Sequence, residues 1–83
     1  MNEISGKIRE LIYQMAEEKN NVISDSSNLY NEGVMDSFNI ITIISQLQSE
    51  LSVDLPEEAL IPENFESVNA ICNMVFTAIS KTS

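Results

Sequence analysis

The residues with the clearest chemical potential are Asp36 and Ser37, which stand immediately before a run with helical spacing. Asp36 occupies the N-cap position, where its carboxylate can accept backbone N–H bonds and meets the positive end of the helix dipole. Ser37 then begins the helix, so we expect its hydroxyl to lie exposed at the rim. In the run that follows, apolar residues recur at intervals of three or four, as in an amphipathic helix: Phe38, Ile41, Ile44, Leu47 and Leu51.

An exposed serine at the start of a helix is well placed to carry a phosphate ester. The free N–H groups of the first turn and the helix dipole both favour an anion at this position. The dipeptide alone does not establish such a site, because an Asp-Ser pair before a helix is most often only a cap.

Little else in the sequence could catalyse a reaction. The chain has 83 residues, no histidine and one cysteine, which leaves no catalytic dyad, internal disulfide or structural zinc site. Residues 25–36 have the length of a calcium-binding loop, but Leu29 and Tyr30 occupy positions that need an oxygen ligand and a glycine. We therefore expect neither an enzyme nor a metal site.

The charge of the chain is strongly unbalanced. Thirteen acidic residues against four basic ones give a net charge of −9, and no Lys or Arg lies between residues 20 and 80. Such a surface repels nucleic acid and anionic membranes and attracts basic patches on protein partners, although acidic faces also keep small proteins soluble. No apolar run is long enough to cross a membrane and no signal-peptide core is present, so we expect a cytoplasmic protein.

Three longer helices and one long loop account for most of the chain. Helices are predicted over residues 3–18, 37–51 and 67–80, and a loop over residues 19–36. Cys72 falls on the apolar face of the last helix, where a core residue is expected rather than a nucleophile. Pro56 and Pro62 bracket a segment that is predicted to form either a short helix from Pro56 or a helical turn at Pro62. The residues expected to anchor the loop or close the core near the prolines are Val22, Ile23, Leu29, Tyr30, Val34, Leu60, Ile61 and Phe65.

Three segments of the chain resemble the acyl carrier protein family. Gly-Val-Met-Asp-Ser-Phe at residues 33–38 resembles the family's prosthetic-group attachment motif, commonly written Gly-x-x-Asp-Ser-Leu. Leu-Gln-Ser-Glu-Leu-Ser-Val-Asp-Leu-Pro at 47–56 and Asn-Phe-Glu-Ser-Val-Asn-Ala-Ile at 64–71 resemble the end of its second helix and the start of its last one. The resemblance implies an all-α fold, a four-helix bundle of acyl-carrier type with a short third helix, in a single carrier domain over residues 1–83.

The function that this resemblance implies is that of a carrier rather than an enzyme. A phosphopantetheinyl transferase would transfer 4′-phosphopantetheine from coenzyme A to Ser37, with Asp36 supporting the helix start. The thiol of that arm would hold an acyl or aminoacyl cargo as a thioester. The implied partners are the transferase and the ligase or synthase enzymes that load or use the cargo, and we expect a monomeric carrier. Docking is expected beside the serine, with Phe38 partly exposed, at Met35, Phe38, Ile41 and Ser45.

The sequence also departs from the commonest pattern of the family. Phe38 stands where leucine is usual, and uncharged residues replace acids that are common on the second helix, namely Asn39, Thr42, Gln48 and Ser49. These departures favour a free-standing carrier of the D-alanyl, peptidyl or polyketide type over a fatty-acid synthase carrier, and they leave the cargo open. The competing hypothesis is a small acidic helical interaction module that is never modified. A covalent adduct on Ser37 distinguishes the two.

Overall fold

A computed structural model describes the backbone of residues 2–82 and the side chains of residues 3–80. It contains three α-helices, α1 (Asn2–Glu18), α2 (Ser37–Leu51) and α3 (Val68–Thr82), and two short 3₁₀ turns, at Glu57–Ala59 and Pro62–Phe65. No β-strand occurs in this part of the chain. The predicted all-α class is therefore confirmed, and the predicted bounds of the three longer helices agree to within a residue or two.

The short third helix is where the observed fold differs from the predicted four-helix bundle. Two separate 3₁₀ turns take its place, because Pro62 supplies no N–H group and Ile61 before it is extended, with φ −114° and ψ 151°. The residue before a proline is driven out of the helical region by contact with the proline ring. A continuous helix across residues 57–65 is therefore interrupted at its middle.

The core lies between the three helices, with α3 packed against α1 and against the second 3₁₀ turn. The α3 helix begins at a cap formed by Ser67, whose hydroxyl accepts a hydrogen bond from the Ala70 N–H at 3.0 Å, as predicted. The buried hydrophobic residues are Ile8, Ile12, Ala16, Leu29, Val34, Met35, Ile43, Leu47, Val53, Leu55, Phe65, Val68, Ile71, Met74, Val75 and Ala78.

Some of the residues expected to anchor the loop and the proline segment face solvent instead. Val22 is 94% exposed, so it does not anchor the loop, whereas Leu29 and Val34 are fully buried. Of the three residues expected to close the core near the prolines, only Phe65 is buried, since Leu60 and Ile61 are 37% and 41% exposed. Leu55, directly before Pro56, is buried as well.

The long loop is tied to the second 3₁₀ turn by hydrogen bonds between residues far apart in sequence. The Leu29 N–H donates to the Glu66 carbonyl at 2.6 Å, and the Tyr30 hydroxyl donates to the Pro62 carbonyl at 2.7 Å. The Leu29 carbonyl in turn accepts the N–H groups of Val34 and Met35 at 2.9 and 3.0 Å. These bonds fix the backbone that leads into α2.

A second tie joins the loop to α1 through Asp25. The Arg9 guanidinium donates to both carboxylate oxygens of Asp25, with the shortest contact at 2.7 Å from Nη2, and the Tyr13 hydroxyl donates to Oδ1 at 2.9 Å. The Asp25 carbonyl also accepts the Asn69 N–H near the start of α3, at 3.1 Å. Hydrogen bonds from Arg9 and Tyr13 lower the pKa of the Asp25 carboxyl, although burial opposes them.

We expect this tie to make the stability of the protein depend on pH on the acidic side. Because the pKa of Asp25 is lower in the folded chain than in the unfolded one, its stabilising effect is complete above the unfolded value of about 3.9. The effect is lost as the pH falls through the lower folded value. Asp25→Asn should therefore be less stable than the wild type near pH 7, and urea titrations at successively lower pH should show the difference shrinking as the pH falls through the folded pKa of Asp25.

The matched control for that measurement is Asp54→Asn, which removes one exposed carboxylate for which the structure gives no side-chain hydrogen bond. A gap between wild type and Asp25→Asn that stayed constant with pH, or an equal gap for Asp54→Asn, would contradict this role for the Asp25 charge.

The one cysteine of the chain lies on the flank of α3 that contacts the core. Cys72 is half-buried, and burial raises the pKa of its thiol. Its position fits a packing residue, as the sequence predicts.

None of the helices in the described part of the chain is long and apolar enough to span a membrane.

Candidate functional site

The backbone reverses direction at Gly33 just before the serine. Gly33 has φ +76°, in the left-handed region where a side chain is disfavoured. No atom lies near the position of a Cβ there, so the glycine is needed for its backbone conformation and not for space. After the turn, Val34 and Met35 are buried and the chain enters α2.

Asp36 is the N-cap of α2, as predicted. Its backbone is extended, with φ −153° and ψ −176°, and its Oδ1 accepts the Asn39 N–H at 2.9 Å. The Asp36 carbonyl accepts the Ile40 N–H at 2.9 Å and so starts the helical pattern. The carboxylate therefore satisfies one of the first-turn N–H groups that a helix leaves unpaired.

Asn39 is a residue of the site that the sequence did not reveal as one. Its side-chain Nδ2 donates to the Val34 carbonyl at 2.6 Å, while its backbone N–H donates to Asp36. The only signal in the sequence is the Asp-x-x-Asn spacing, which is analogous to a capping box, where the third residue reaches back across the cap. Asn39 thus joins the first turn of α2 to the turn before it.

Ser37 is the first residue of α2, and its side chain is exposed. Its hydroxyl has no hydrogen-bond partner among the residues that the structure describes. The residues present fit a phosphate ester here, because an unpartnered hydroxyl faces solvent where the helix dipole favours negative charge. In the described part of the chain, no three acidic or cysteine side chains are placed to hold a metal ion.

The expected docking residues do not all share one surface. Phe38 is 82% exposed and Ile41 is 66% exposed, and Ser45, one turn further along α2, is exposed too. Met35 differs from the expectation, because only 3% of it is exposed. It packs into the core from the extended segment before α2, where its N–H is bonded to the Leu29 carbonyl. The surface beside the serine, which we term the α2 ridge, therefore consists of Phe38, Ile41 and Ser45.

Loss of the Asp36 cap should affect both the stability of the fold and the modification of the serine. We expect Asp36→Ala to lower the free energy of unfolding by about 0.5–2 kcal/mol, the usual effect of losing a cap. On the hypothesis that Ser37 is the attachment residue, we also expect phosphopantetheine transfer to be slower, because the serine follows the cap directly. Urea unfolding and initial rates of transfer check the two effects, and Asp54→Ala controls for the loss of charge. Wild-type values for both quantities would show that Asp36 has neither role.

The structure is a small helical domain in which Ser37 is exposed on the first residue of α2. The family model for the phosphopantetheine attachment site matches residues 6–75, which is most of the 83-residue chain. The chain therefore belongs to this family, and the acyl carrier resemblance of its sequence is confirmed.

Members of this family are carriers for covalently bound 4′-phosphopantetheine and are not themselves enzymes. They work with phosphopantetheinyl transferases and with synthase or ligase enzymes. No curated protein and no solved structure matches the chain significantly. The family is therefore assigned by the match over residues 6–75.

Proposed function

We propose that Ser37 is the attachment residue for 4′-phosphopantetheine and that the protein presents an acyl or aminoacyl cargo to biosynthetic enzymes. The observation that carries this proposal is the exposed, unpartnered hydroxyl of Ser37 on the first residue of α2, directly after the Asp36 cap. The family match covers this position, since it runs from residue 6 to residue 75.

We expect the transfer to require a partner enzyme, because the chain has no histidine to act as the general base. A bond forms between Ser37 Oγ and the phosphorus attached to pantetheine, and the diphosphate bond of coenzyme A breaks. Adenosine 3′,5′-bisphosphate leaves, and the hydroxyl proton passes to a base of the transferase. The chain contributes the accessible hydroxyl and the cap that fixes the start of the helix. Once attached, the arm supplies a thiol that carries the cargo as a thioester.

The α2 ridge is the proposed docking surface for the transferase and for later partners. Phe38 and Ile41 expose large apolar side chains beside the serine, about one turn apart on the same helix, and adjacent exposed apolar side chains can form a protein-interaction patch. Glu50 is the only charged residue within α2, so apolar contact should contribute more here than charge. A Phe38→Ala variant with a wild-type KM for the transferase would contradict this assignment.

The low charge of α2 also favours a D-alanyl, peptidyl or polyketide type of carrier over a fatty-acid synthase carrier. Loading of the modified protein by an amino-acid-activating ligase, compared with a fatty-acid-activating one, tests this choice. Preferential loading with a long fatty acid would overturn it. The same proposal includes a monomeric state. It also includes a cytoplasmic location, because the transfer draws on coenzyme A.

The experiment that tests the carrier function is incubation of the unmodified protein with a promiscuous phosphopantetheinyl transferase and coenzyme A. We expect intact-protein mass spectrometry to show one phosphopantetheine added, and fragmentation to place it on Ser37. No adduct, under conditions that modify a known carrier completely, would favour the alternative of an unmodified interaction module. The exposed apolar residues of the α2 ridge would then be the main feature left to explain.

A further inference from the structure

Asn39 makes two hydrogen bonds that enclose the serine turn. Its backbone N–H donates to Asp36 Oδ1 at 2.9 Å, and its side-chain Nδ2 donates to the Val34 carbonyl at 2.6 Å. Ser37 lies in sequence between Asn39 and both of these acceptors. Asn39 therefore binds both the Asp36 cap and the carbonyl group of Val34, two residues before the cap.

The other side of this segment is held by the loop. The N–H groups of Val34 and Met35 both donate to the Leu29 carbonyl, and the Leu29 N–H donates to Glu66. The Val34 carbonyl therefore has a fixed position, and the Asn39 amide ties the first turn of α2 to that fixed point. Without the amide, the Asp36 cap would still start the helix, but the helix start would lose its direct side-chain bond to the anchored turn.

We propose that the Asn39 side chain is a positioning residue that orients Ser37 for phosphopantetheine transfer. The inference rests on the proposed attachment at Ser37 and adds a role for a residue that does not itself carry the group. In-line attack requires Ser37 Oγ to stand in one direction relative to the phosphorus, and a small misplacement of a reacting atom costs rate steeply. The loss should therefore appear in kcat for transfer more than in KM.

The chain offers a pair of substitutions that separates positioning from stability. Asn39→Ala removes the amide donor. Asn39→Asp keeps the size of the side chain but replaces the donor with a carboxylate oxygen, which cannot donate to the Val34 carbonyl. Asn39→Asp places a carboxylate oxygen opposite the Val34 carbonyl, and the favourable interaction of a first-turn carboxylate with the helix dipole offsets part of this repulsion. The kcat of this variant is therefore compared with its own free energy of unfolding. A purely structural role predicts that it transfers at the wild-type rate.

Gln46 provides the matched control, because it is exposed and lines the same groove beside α1 as Asn39 does. The variants Gln46→Ala and Gln46→Glu repeat the loss of the amide and the replacement of amide by carboxylate on the same flank of α2, away from the serine turn. They also control for any effect of an added negative charge on transferase binding, which would appear in KM.

The measurement is kcat and KM for coenzyme A-dependent modification by one transferase, with urea unfolding recorded for each variant. We expect kcat to fall about five- to tenfold for both Asn39 variants, the scale of one lost hydrogen bond. Both Gln46 variants should stay within about twofold of wild type, as expected for surface changes. Amide chemical shifts of residues 34–38 should move in the Asn39 variants, with the rest of the spectrum unchanged.

Wild-type kcat in Asn39→Asp would overturn the proposal, as would equal losses of kcat in the Gln46 variants. These outcomes differ from failure of the proposed function, in which the wild type itself would take no phosphopantetheine or would take it on another residue.

Discussion

Replacement of Ser37 by alanine is expected to abolish phosphopantetheine attachment while leaving the fold intact. The side chain is exposed and its hydroxyl has no partner among the described residues, so its removal breaks no contact. Alanine is also a good helix former, and the Asp36 cap does not depend on the serine side chain. Transfer, in contrast, has no acceptor oxygen once the hydroxyl is gone.

The expected result is visible by intact-protein mass spectrometry as a complete loss of the adduct. Circular dichroism and urea unfolding should match the wild type within about 0.5 kcal/mol, the range for surface changes. Ser49→Ala is the matched control, because Ser49 is an exposed serine on the same helix and lies outside the α2 ridge, and it should be modified in full. An adduct retained on Ser37→Ala would mean that a different hydroxyl carries the group.

Replacement of Phe65 by alanine should have the largest effect on stability. Phe65 is fully buried and is the largest of the fully buried side chains. It also belongs to the second 3₁₀ turn, which packs on α3 and precedes the Glu66 carbonyl that accepts the Leu29 N–H. Truncation of a buried phenylalanine costs about 3–5 kcal/mol through lost burial and the cavity left behind. This is a large part of the roughly 5–15 kcal/mol that holds a small domain folded.

Phe38→Ala makes the same chemical change at a position that is 82% exposed. Its free energy of unfolding should differ from wild type by no more than about 0.5 kcal/mol. Urea titrations followed by circular dichroism measure both variants under the same conditions. Equal losses in the two variants, or a loss below about 1 kcal/mol for Phe65→Ala, would contradict the burial seen here.

The local parts of the fold were predictable because they depend on neighbours in sequence. Asp36 caps α2 and Ser67 caps α3, and each cap bond links residues three positions apart. Helix bounds follow from such caps and from apolar periodicity. The serine and its cap could therefore be located from the sequence before any tertiary contact was known.

The buried face of α2 was less predictable, because isoleucines occur on several of its sides. The spacing placed Phe38 and Ile41 in one stripe with Leu47, whereas the structure buries Ile43 and Leu47 and exposes the other two. Apolar periodicity identifies the helix, whereas the packing of α1 and the loop against it determines which of its sides is buried. Partial exposure of Phe38 was expected only because of its place beside the serine.

The contacts that hold the serine turn could not be predicted from local sequence patterns. The Leu29–Glu66 and Tyr30–Pro62 bonds join distant segments, and no spacing rule indicates them. The burial of Met35 could not be predicted either, because an apolar residue in the segment before a helix can face the core or the solvent. Its burial is fixed by the bond of its N–H to the Leu29 carbonyl and by the packing around it.

The half-buried thiol of Cys72 has a practical consequence for chemical labelling. Maleimides and similar reagents react with the thiolate, and burial both shields this sulfur and raises its pKa. An arm attached to Ser37 would end in a thiol outside the protein core. A brief reaction near neutral pH should therefore place a dye or a spin label on the arm and leave Cys72 unlabelled, so that the native sequence can be tagged without removing its cysteine.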